Sequence, residues 1–566
     1  MNTSGAAPLS SSGGSPATPV RTDAPGRRRF PDRRLLALLL VPMAVCGLIT
    51  VSMELLGIPG WDAPAHLYKM ALVEDSKGLF WDNHWYGGAY DLISYGFIFY
   101  FAAKFVGYAA LVAVSAGSLP LLYFLYMRRV YGRASYVAAI GLAVVLAAYL
   151  ANGQDPFLFA MALTLGGMVL LAYRHPILAA LPLAAALFAN PLAVVVGAIF
   201  LLADFLATPS RRAYYLRAFL YLSPFLVARV LVSLVFYEPS TYVYHLGFVL
   251  LCAGWGAVGF VLTRLSRDPQ RRARGILFLT FAAVGVAVFL IPGDPVGSNI
   301  ARFFFLFGFP LYWEIRDVLL PKYVLALFLA GSLLGQIVPP LSQYFRVAEQ
   351  PSTKAAFFTP ALAFAGRHYD PNYRYHVVAL DTHWEAYHFS VNEFPITRGW
   401  YRQADAVHNE VLTTDDFSAG EYVGWLRDMG VKYVFLPHAP LDWSGEREAQ
   451  ILAASPAFVQ VERTADWTIY RLRDPSPIAV AADGGRAPRV LALLHQAIYL
   501  EVPRPGDYLI KVTYSPYWQV TQGVGSLSRA PGSRRFLTLH ADEAGLYGVQ
   551  VRVTVEESLR SLIRVF

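Results

Sequence analysis

Cysteine is nearly absent from this chain: its 566 residues include two, Cys46 and Cys252. Both fall within apolar runs, so the sequence offers no disulfide framework, no cysteine-based metal site and no thiol redox chemistry. Charge is scarce as well. Only 15% of residues are Asp, Glu, Lys or Arg, against 56% hydrophobic and 14% aromatic, which excludes an ordinary soluble globular protein. The net charge of +8 does not imply a nucleic-acid partner, because the arginines gather in short loops between apolar runs, where they report membrane topology. There is no internal repeat.

What is present is a polytopic membrane protein with a soluble end. Residues 1–33 are rich in Ser, Gly, Pro and Ala and close on Arg27, Arg28, Arg29 and Arg33, the pattern of a disordered cytoplasmic tail. The apolar run from Leu35 to Ser52 is longer than a signal-peptide core and lacks a small-x-small cleavage site, so it reads as a retained span. Val45 before Cys46 argues against lipidation. Within a membrane domain at 34–340 we expect about eleven spans, at 34–54, 107–127, 135–151, 156–173, 177–190, 191–207, 214–236, 245–264, 274–292, 299–315 and 322–339, each near or just short of the ~20 residues a bilayer needs. Asn190-Pro191 and the stretch from Glu314 to Asp317 limit the fifth and tenth, leaving a re-entrant alternative for their neighbours.

Charge sets the orientation. Arg128, Arg129, Arg133, Arg174, Arg211, Arg212, Arg217, Arg264, Arg267, Arg271, Arg272, Arg274, Arg316 and Lys322 fall in alternate connections, whereas Asp155, Glu238 and Asp294 fall in the opposite ones. By the positive-inside rule the N-terminus is cytoplasmic, and the first loop and everything after the last span lie outside an inner (plasma) membrane. The aromatic stretch Leu92–Lys104 reads either as a helix lying in the interface or as the beginning of the second span.

After Pro339-Pro340 no membrane-length run remains. Residues 345–475 alternate strand and helix patterns: strands at Tyr375–Leu380 and Lys432–Leu436, helices at Ala419–Met429 and Gly445–Ala454, and a hairpin from Phe458–Glu462 and Trp467–Leu472. That is an α/β signature. Residues 476–566 turn to β, with strands at Tyr508–Tyr514, Arg535–Leu539 and Gly548–Val555 between Gly, Pro and Asp turns, as in a β-sandwich. The expected fold class is therefore an α-helical polytopic membrane domain followed by an extracytoplasmic α/β plus β-sandwich region.

Chemistry concentrates in the outer loop at 55–92. It carries Gly60-Trp61-Asp62-Ala63-Pro64-Ala65-His66 and then Phe80-Trp81-Asp82-Asn83-His84-Trp85-Tyr86-Gly87-Gly88, acids and histidines among tryptophans beside a membrane span. Either the aromatics form an interfacial belt over solvated carboxylates, or the loop is a site at the membrane surface. Asp62 before Ala-Pro is also a good helix cap. His66, four residues on, shares its helical face. It could bind phosphate, join Asp62, Asp82 and His84 around a divalent cation, or simply be solvated like His84. Arg302 is a basic residue at an outer span end, so it either holds an anionic lipid phosphate or snorkels to headgroups. Asp381, His383, Glu385 and His388 match no standard ligand spacing and read as a solvated loop. Trp400 and Tyr401 either contact carbohydrate or pack.

An apolar first span, an outer loop with Trp-Asp-x-Pro-x-His and then Trp-x-x-x-Trp-Tyr-Gly-Gly, many further spans and a C-terminal outer region together resemble the GT-C superfamily of polytopic membrane glycosyltransferases. The loop, with Gly430-Val431-Lys432-Tyr433-Val434 in the tail, also looks like bacterial membrane proteins labelled 6-pyruvoyl-tetrahydropterin-synthase-related. The resemblance implies a transferase that moves a sugar from a polyprenyl-phosphate donor to an envelope glycan, lipid or protein acceptor. Asp62 matches that superfamily's essential loop acid and is the implied catalytic base. Asp155 resembles the additional acid some of these enzymes use, or is simply a turn residue before Pro156. Trp61, His66, Asp82, His84, Trp85, Tyr86, Asp155, Arg302, Trp400 and Tyr401 become candidate substrate contacts, and Asp62, Asp82 and Asp155 candidate ligands for Mg or Mn, although the loop has no Asp-x-Asp pair. The rival reading is a non-enzymatic transport or assembly protein for envelope polysaccharide or lipid. A transporter needs charge near mid-span, and here acids gather in outer loops.

Overall fold

Hydrocarbon offers the backbone no hydrogen bonds, so an apolar chain that crosses it must close its own, and each expected span is a helix. The computed structural model describes residues 33–90, 96–237, 245–267, 269–291, 296–414, 416–531 and 535–565. The expected tail, the loop acids Glu238 and Asp294, and the start of the Leu92–Lys104 stretch lie outside the described residues. In order come α1 (Arg33–Leu55), α2 (Ala63–Glu74), α3 (Phe97–Val106), α4 (Tyr108–Tyr131), α5 (Tyr136–Tyr149), α6 (Asp155–Ala172), α7 (Pro176–Ala189), α8 (Pro191–Ala207), α9 (Arg212–Val235), α10 (Leu246–Leu265), α11 (Arg271–Phe289), α12 (Arg302–Glu314) and α13 (Lys322–Ala348).

Eleven of these match the expected spans, but only seven of the described helices are long and apolar enough to cross a membrane: α1, α4, α6, α9 with its preceding turn, α10, α11 and α13. One of the shorter helices is also enclosed. In α12, 13 residues long, Phe303, Leu306 and Phe307 are fully buried against neighbouring helices, so this helix packs inside the bundle. Conversely α9 turns Leu216, Phe219, Leu220 and Val227 outward, an apolar surface that belongs against lipid. Two buried acids at the far end of the bundle are paired: Arg274 meets Glu314 at 3.2 Å and Arg211 meets Asp204 at 3.0 Å.

The described part of the aromatic stretch is separate from the second span rather than its beginning. It forms α3, a helix separated from α4 by Gly107, and its Lys104 Nζ donates to the carbonyls of Val73 and Glu74. That contact caps the carbonyl end of α2, where a cation is favourable.

In the soluble region come α14 (Ala355–Arg367), α15 (Trp384–Val391), α16 (Arg402–His408), α17 (Ala419–Asp428) and α18 (Glu446–Ala454). The loop contributes the short pair β1 (Trp81–Asp82) and β2 (Ala89–Tyr90). A mixed sheet follows, of β3 (Arg374–Val377), β4 (Val431–Pro437), β5 (Phe458–Arg463) and β6 (Trp467–Leu472), in order β3-β4-β6-β5 with β3 and β4 parallel. The last strands are β7 (Ala479–Ala481), β8 (Arg489–Leu494), β9 (Ala497–Val502), β10 (Gly506–Thr513), β11 (Trp518–Gln522), β12 (Gly525–Arg529), β13 (Phe536–Ala541) and β14 (Gly545–Val551). They form two four-stranded sheets, β12-β13-β10-β7 and β11-β14-β9-β8. These share one core that also takes in Trp81 of the loop and Val235 and Phe236 at the end of α9. The first loop, the C-terminal end of α9 and the soluble region thus meet on one side of the bundle.

The solvated loop expected at Asp381, His383, Glu385 and His388 is corrected. His383 precedes α15, and both His383 and Glu385 are buried, 6% and 5% exposed. Arg402 bonds the His383 ring at 3.1 Å, and Asp381 instead takes Arg346 and Gln350.

Candidate active site

Two backbone crossings place Asp62. The amides of Trp61 and Asp62 donate to the carbonyls of Ala151 and Asn152 at 3.1 and 3.0 Å, so the first loop lies against the turn before α6. The approach is tight: a Cβ on Gly60 would sit 2.5 Å from the Gly153 nitrogen, and Gly153 itself has φ +67°. Glycine is required at the first position by contact and favoured at the second by conformation. Asp155 follows directly, accepting a hydrogen bond from Tyr108 at 2.6 Å.

Asp62 is the N-cap of α2, with Pro64 in the first turn, but its side chain makes no capping hydrogen bond. The carboxylate is therefore not consumed by the helix start. Burial, partly offset by Arg302 and reinforced by Asp155, pushes Asp62 up to about 7. A carboxylate at that position on the pH scale is balanced to accept and release a proton.

Arg302 begins α12 and turns inward. Its guanidinium lies 4.8 Å from the centre of the Phe157 ring, its Nη1 is buried without a hydrogen bond, and it acts electrostatically on Asp62 and His66. The guanidinium therefore has an unused donor at Nη1 and exerts its charge on Asp62.

His66 is buried, not solvated, and bonds Tyr100 at 2.7 Å. Burial first, then the charge of Lys69, hold it down at about 3, so it is a neutral imidazole. Next to these residues a cavity of about 560 Å³ is lined by Glu54, Gly60, Leu67, Tyr108, Asp155 and Lys354, among others. Its walls come from the C-terminal end of α1, the loop, α4, the turn before α6 and the start of the soluble region, so it sits where the helical bundle and the soluble region join. Trp61 lines a smaller recess beside it with Tyr344.

The remaining candidates stand elsewhere. Asp82 accepts Tyr68 Oη at 2.7 Å on one oxygen and the His84 amide and His495 Nδ1 at 3.0 and 2.8 Å on the other. His84, expected to be solvated, is fully buried. Burial and then the neighbouring His495 hold His84 down at about 4. His495 goes the other way: against the effect of burial, its hydrogen bonds to Asp82 and Glu393 keep it at about 9. Among the described residues, the His, Cys, Asp or Glu groups whose ligand atoms cluster are Asp82, His84 and His495. Asp82 is therefore grouped apart from Asp62 and Asp155.

Trp85 and Tyr86 are buried in the seam between loop and soluble region. Trp85 Nε1 donates to the Ala386 carbonyl at 3.1 Å, and Tyr86 Oη bonds the Tyr401 backbone. Trp85 and Tyr401 meet edge to face at 6.0 Å, with Trp400 against Tyr401 at 5.3 Å. These aromatics pack against one another. Gly88 supports the seam, since a Cβ there would lie 2.7 Å from the Trp81 ring.

Sequence reasoning missed Tyr108, Lys354 and His495. Tyr108 and Lys354 carry no motif, and His495 is a single histidine in a β-hairpin more than 400 positions from its partner Asp82.

No family model and no curated protein matches the chain. Solved structures give distant likenesses. An arabinofuranosyltransferase, AftD, from Mycobacteria superposes with a TM-score of 0.48 at 16% identity, over 80% of this chain and 42% of that one. The present chain thus spans less than half the length of that protein. An oligosaccharyltransferase from Archaeoglobus fulgidus gives 0.40 at 12% identity, over 71% and 70% of the two chains. ArnT from Cupriavidus metallidurans, solved with undecaprenyl phosphate, gives 0.38 at 12% identity, over 77% and 97%. With every TM-score below 0.5, these likenesses assign no chemistry to any residue here.

Proposed function

We propose that the protein is a membrane glycosyltransferase of the GT-C type that transfers a sugar from a polyprenyl-phosphate donor to an envelope glycan, lipid or protein acceptor on the outer face. The observation that carries the reading is an uncapped Asp62 under the charge of Arg302, whose Nη1 is buried without a hydrogen bond, near a cavity lined by Gly60, Ala63 and Asp155.

In this reading the lipid chain lies along the outer end of α1, and Arg302 and Lys354 hold the phosphate. The acceptor hydroxyl loses its proton to Asp62 as its oxygen bonds the anomeric carbon. The bond from that carbon to the phosphate oxygen breaks, and polyprenyl phosphate leaves with the electron pair, its charge met by the guanidinium. Asp155, oriented by Tyr108, is placed to bind the acceptor. A divalent cation, Mg or Mn, would supply further charge at the phosphate, with Asp62 and Asp155 as the residues able to hold it.

The test is sugar release from a synthetic polyprenyl-phosphate sugar by purified protein in detergent. Release that depends on acceptor and disappears in Asp62→Asn supports the reading. Absence of turnover with every donor, alongside net movement of lipid-linked sugar across vesicles, would favour a transport protein.

A further inference from the structure

Away from Asp62, three side chains from distant parts of the sequence meet in a buried cluster. Asp82 and His84 come from the first loop, and His495 from the turn between β8 and β9. They are 2%, 0% and 7% exposed, and one ligand atom of each lies within 4.8 Å of the others. The two imidazole rings are 3.9 Å apart, centre to centre. Glu393, half-exposed at the rim, approaches with Oε2 3.2 Å from His495 Nε2 and 4.0 Å from His84 Nε2.

His84 is the feature a purely structural cluster leaves unexplained. It is wholly enclosed, and neither ring nitrogen makes a well-formed hydrogen bond, although the Ser390 carbonyl lies near. Leaving such a group unsatisfied is costly, because it has lost water without gaining a partner. A cation would convert the idle lone pair into a bond. Asp82 already has its supporting contact, the Tyr68 hydroxyl at 2.7 Å, of the kind that orients metal ligands.

We propose that Asp82, His84 and His495, with Glu393 at the rim, form a zinc site that clips the first outer loop to the C-terminal β-sandwich. Two imidazoles and two carboxylates suit a borderline cation such as zinc, whereas magnesium favours oxygen donors and retained water. Tetrahedral ligands at about 2.0–2.2 Å from the ion stand roughly 3.5 Å apart, so binding contracts the cluster through side-chain rotation, with Glu393 closing from solvent. The backbone is already joined there: the Asn83 amide donates to the His495 carbonyl at 2.9 Å, and Asn83 Nδ2 to the Leu494 carbonyl at 2.8 Å. The ion would lock a junction that the chain has aligned.

The experiment uses the untagged full chain in detergent, stripped with a chelator, incubated with zinc chloride or magnesium chloride alone, desalted, and assayed by elemental analysis and thermal unfolding. We expect about one zinc per chain, no magnesium whose retention depends on His84 or His495, and a higher Tm with zinc. His84→Ala and His495→Ala should lose the bound zinc and the Tm response. Asp62→Asn should retain both, so the outcome is independent of the catalytic reading. Cobalt(II) in place of zinc should give the visible absorption of a tetrahedral site in the wild type, which keeps the proposal testable even where a variant fails to fold. Wild-type protein that binds no zinc, shows no Tm response, or prefers magnesium at His84 and His495 overturns the proposal, and the cluster is then a proton-bridged network. Full zinc retention in the two histidine variants overturns it as well.

Discussion

Asp62→Asn tests the catalytic reading most directly, because the structure separates the two things Asp62 could do. Had the carboxylate capped α2, replacing it with alanine would cost about 0.5–2 kcal/mol. No side-chain cap bond exists, so neither Asn nor Ala should destabilise the loop by that route. Burial raises Asp62 in the folded protein to about 7, against roughly 3.9 for a free aspartate. Its ionisation therefore costs stability as pH rises between those values, and that cost is complete above the folded pKa. Asp62→Asn removes the penalty, so its Tm should match wild type near pH 4 and equal or exceed it near pH 8. Activity should move the opposite way. Loss of a general base costs about 100-fold to 10,000-fold in rate, and wild-type kcat/KM should rise with pH through about 7 as Asp62 loses its proton. The assay is sugar release from a polyprenyl-phosphate donor across pH, with Tm recorded for each variant. A folded Asp62→Asn protein with wild-type turnover would refute the assignment, and a Tm loss at pH 8 would refute the reading of its environment.

Other expectations follow from single contacts. Arg302→Ala should raise the donor KM at least tenfold, a loss of about 1.4 kcal/mol, while Arg302→Lys keeps the charge without the planar fork and falls between; donor titration decides. Gly60→Ala forces a Cβ to within 2.5 Å of the Gly153 backbone, so it should lower both Tm and turnover, with overpacking costing about 1–3 kcal/mol; thermal unfolding and the transfer assay check both. A periplasm-active reporter should be silent when fused after Arg267 and active after Ala348, because the arginine loops fix the orientation.

The sequence by itself determined the membrane architecture. Scarce charge, apolar runs of near-bilayer length and arginines in alternate loops leave one solution, a helical bundle, because hydrocarbon satisfies no stray backbone group. It also drew attention to Asp62, Asp155 and Arg302, since charged groups at span ends are few enough to stand out. Only the tertiary structure decided what those residues do with one another. Whether Asp62 caps its helix, or whether Arg302 faces lipid or protein, turns on angles and neighbours that no spacing encodes. The C-terminal strands β7, β8, β9, β11 and β12 were not legible for a related reason: the strand patterns are short, and pairing across two sheets is a long-range matter. The loop histidine is the sharpest case. His84 in Trp-Asp-Asn-His-Trp reads as a solvated residue, yet it is sealed against His495 more than 400 positions away. That neighbour is chosen by how the β-sandwich docks on the loop, through Trp81 in the sandwich core and Asn83 on the Leu494 and His495 carbonyls, and such docking depends on surfaces that exist only after folding.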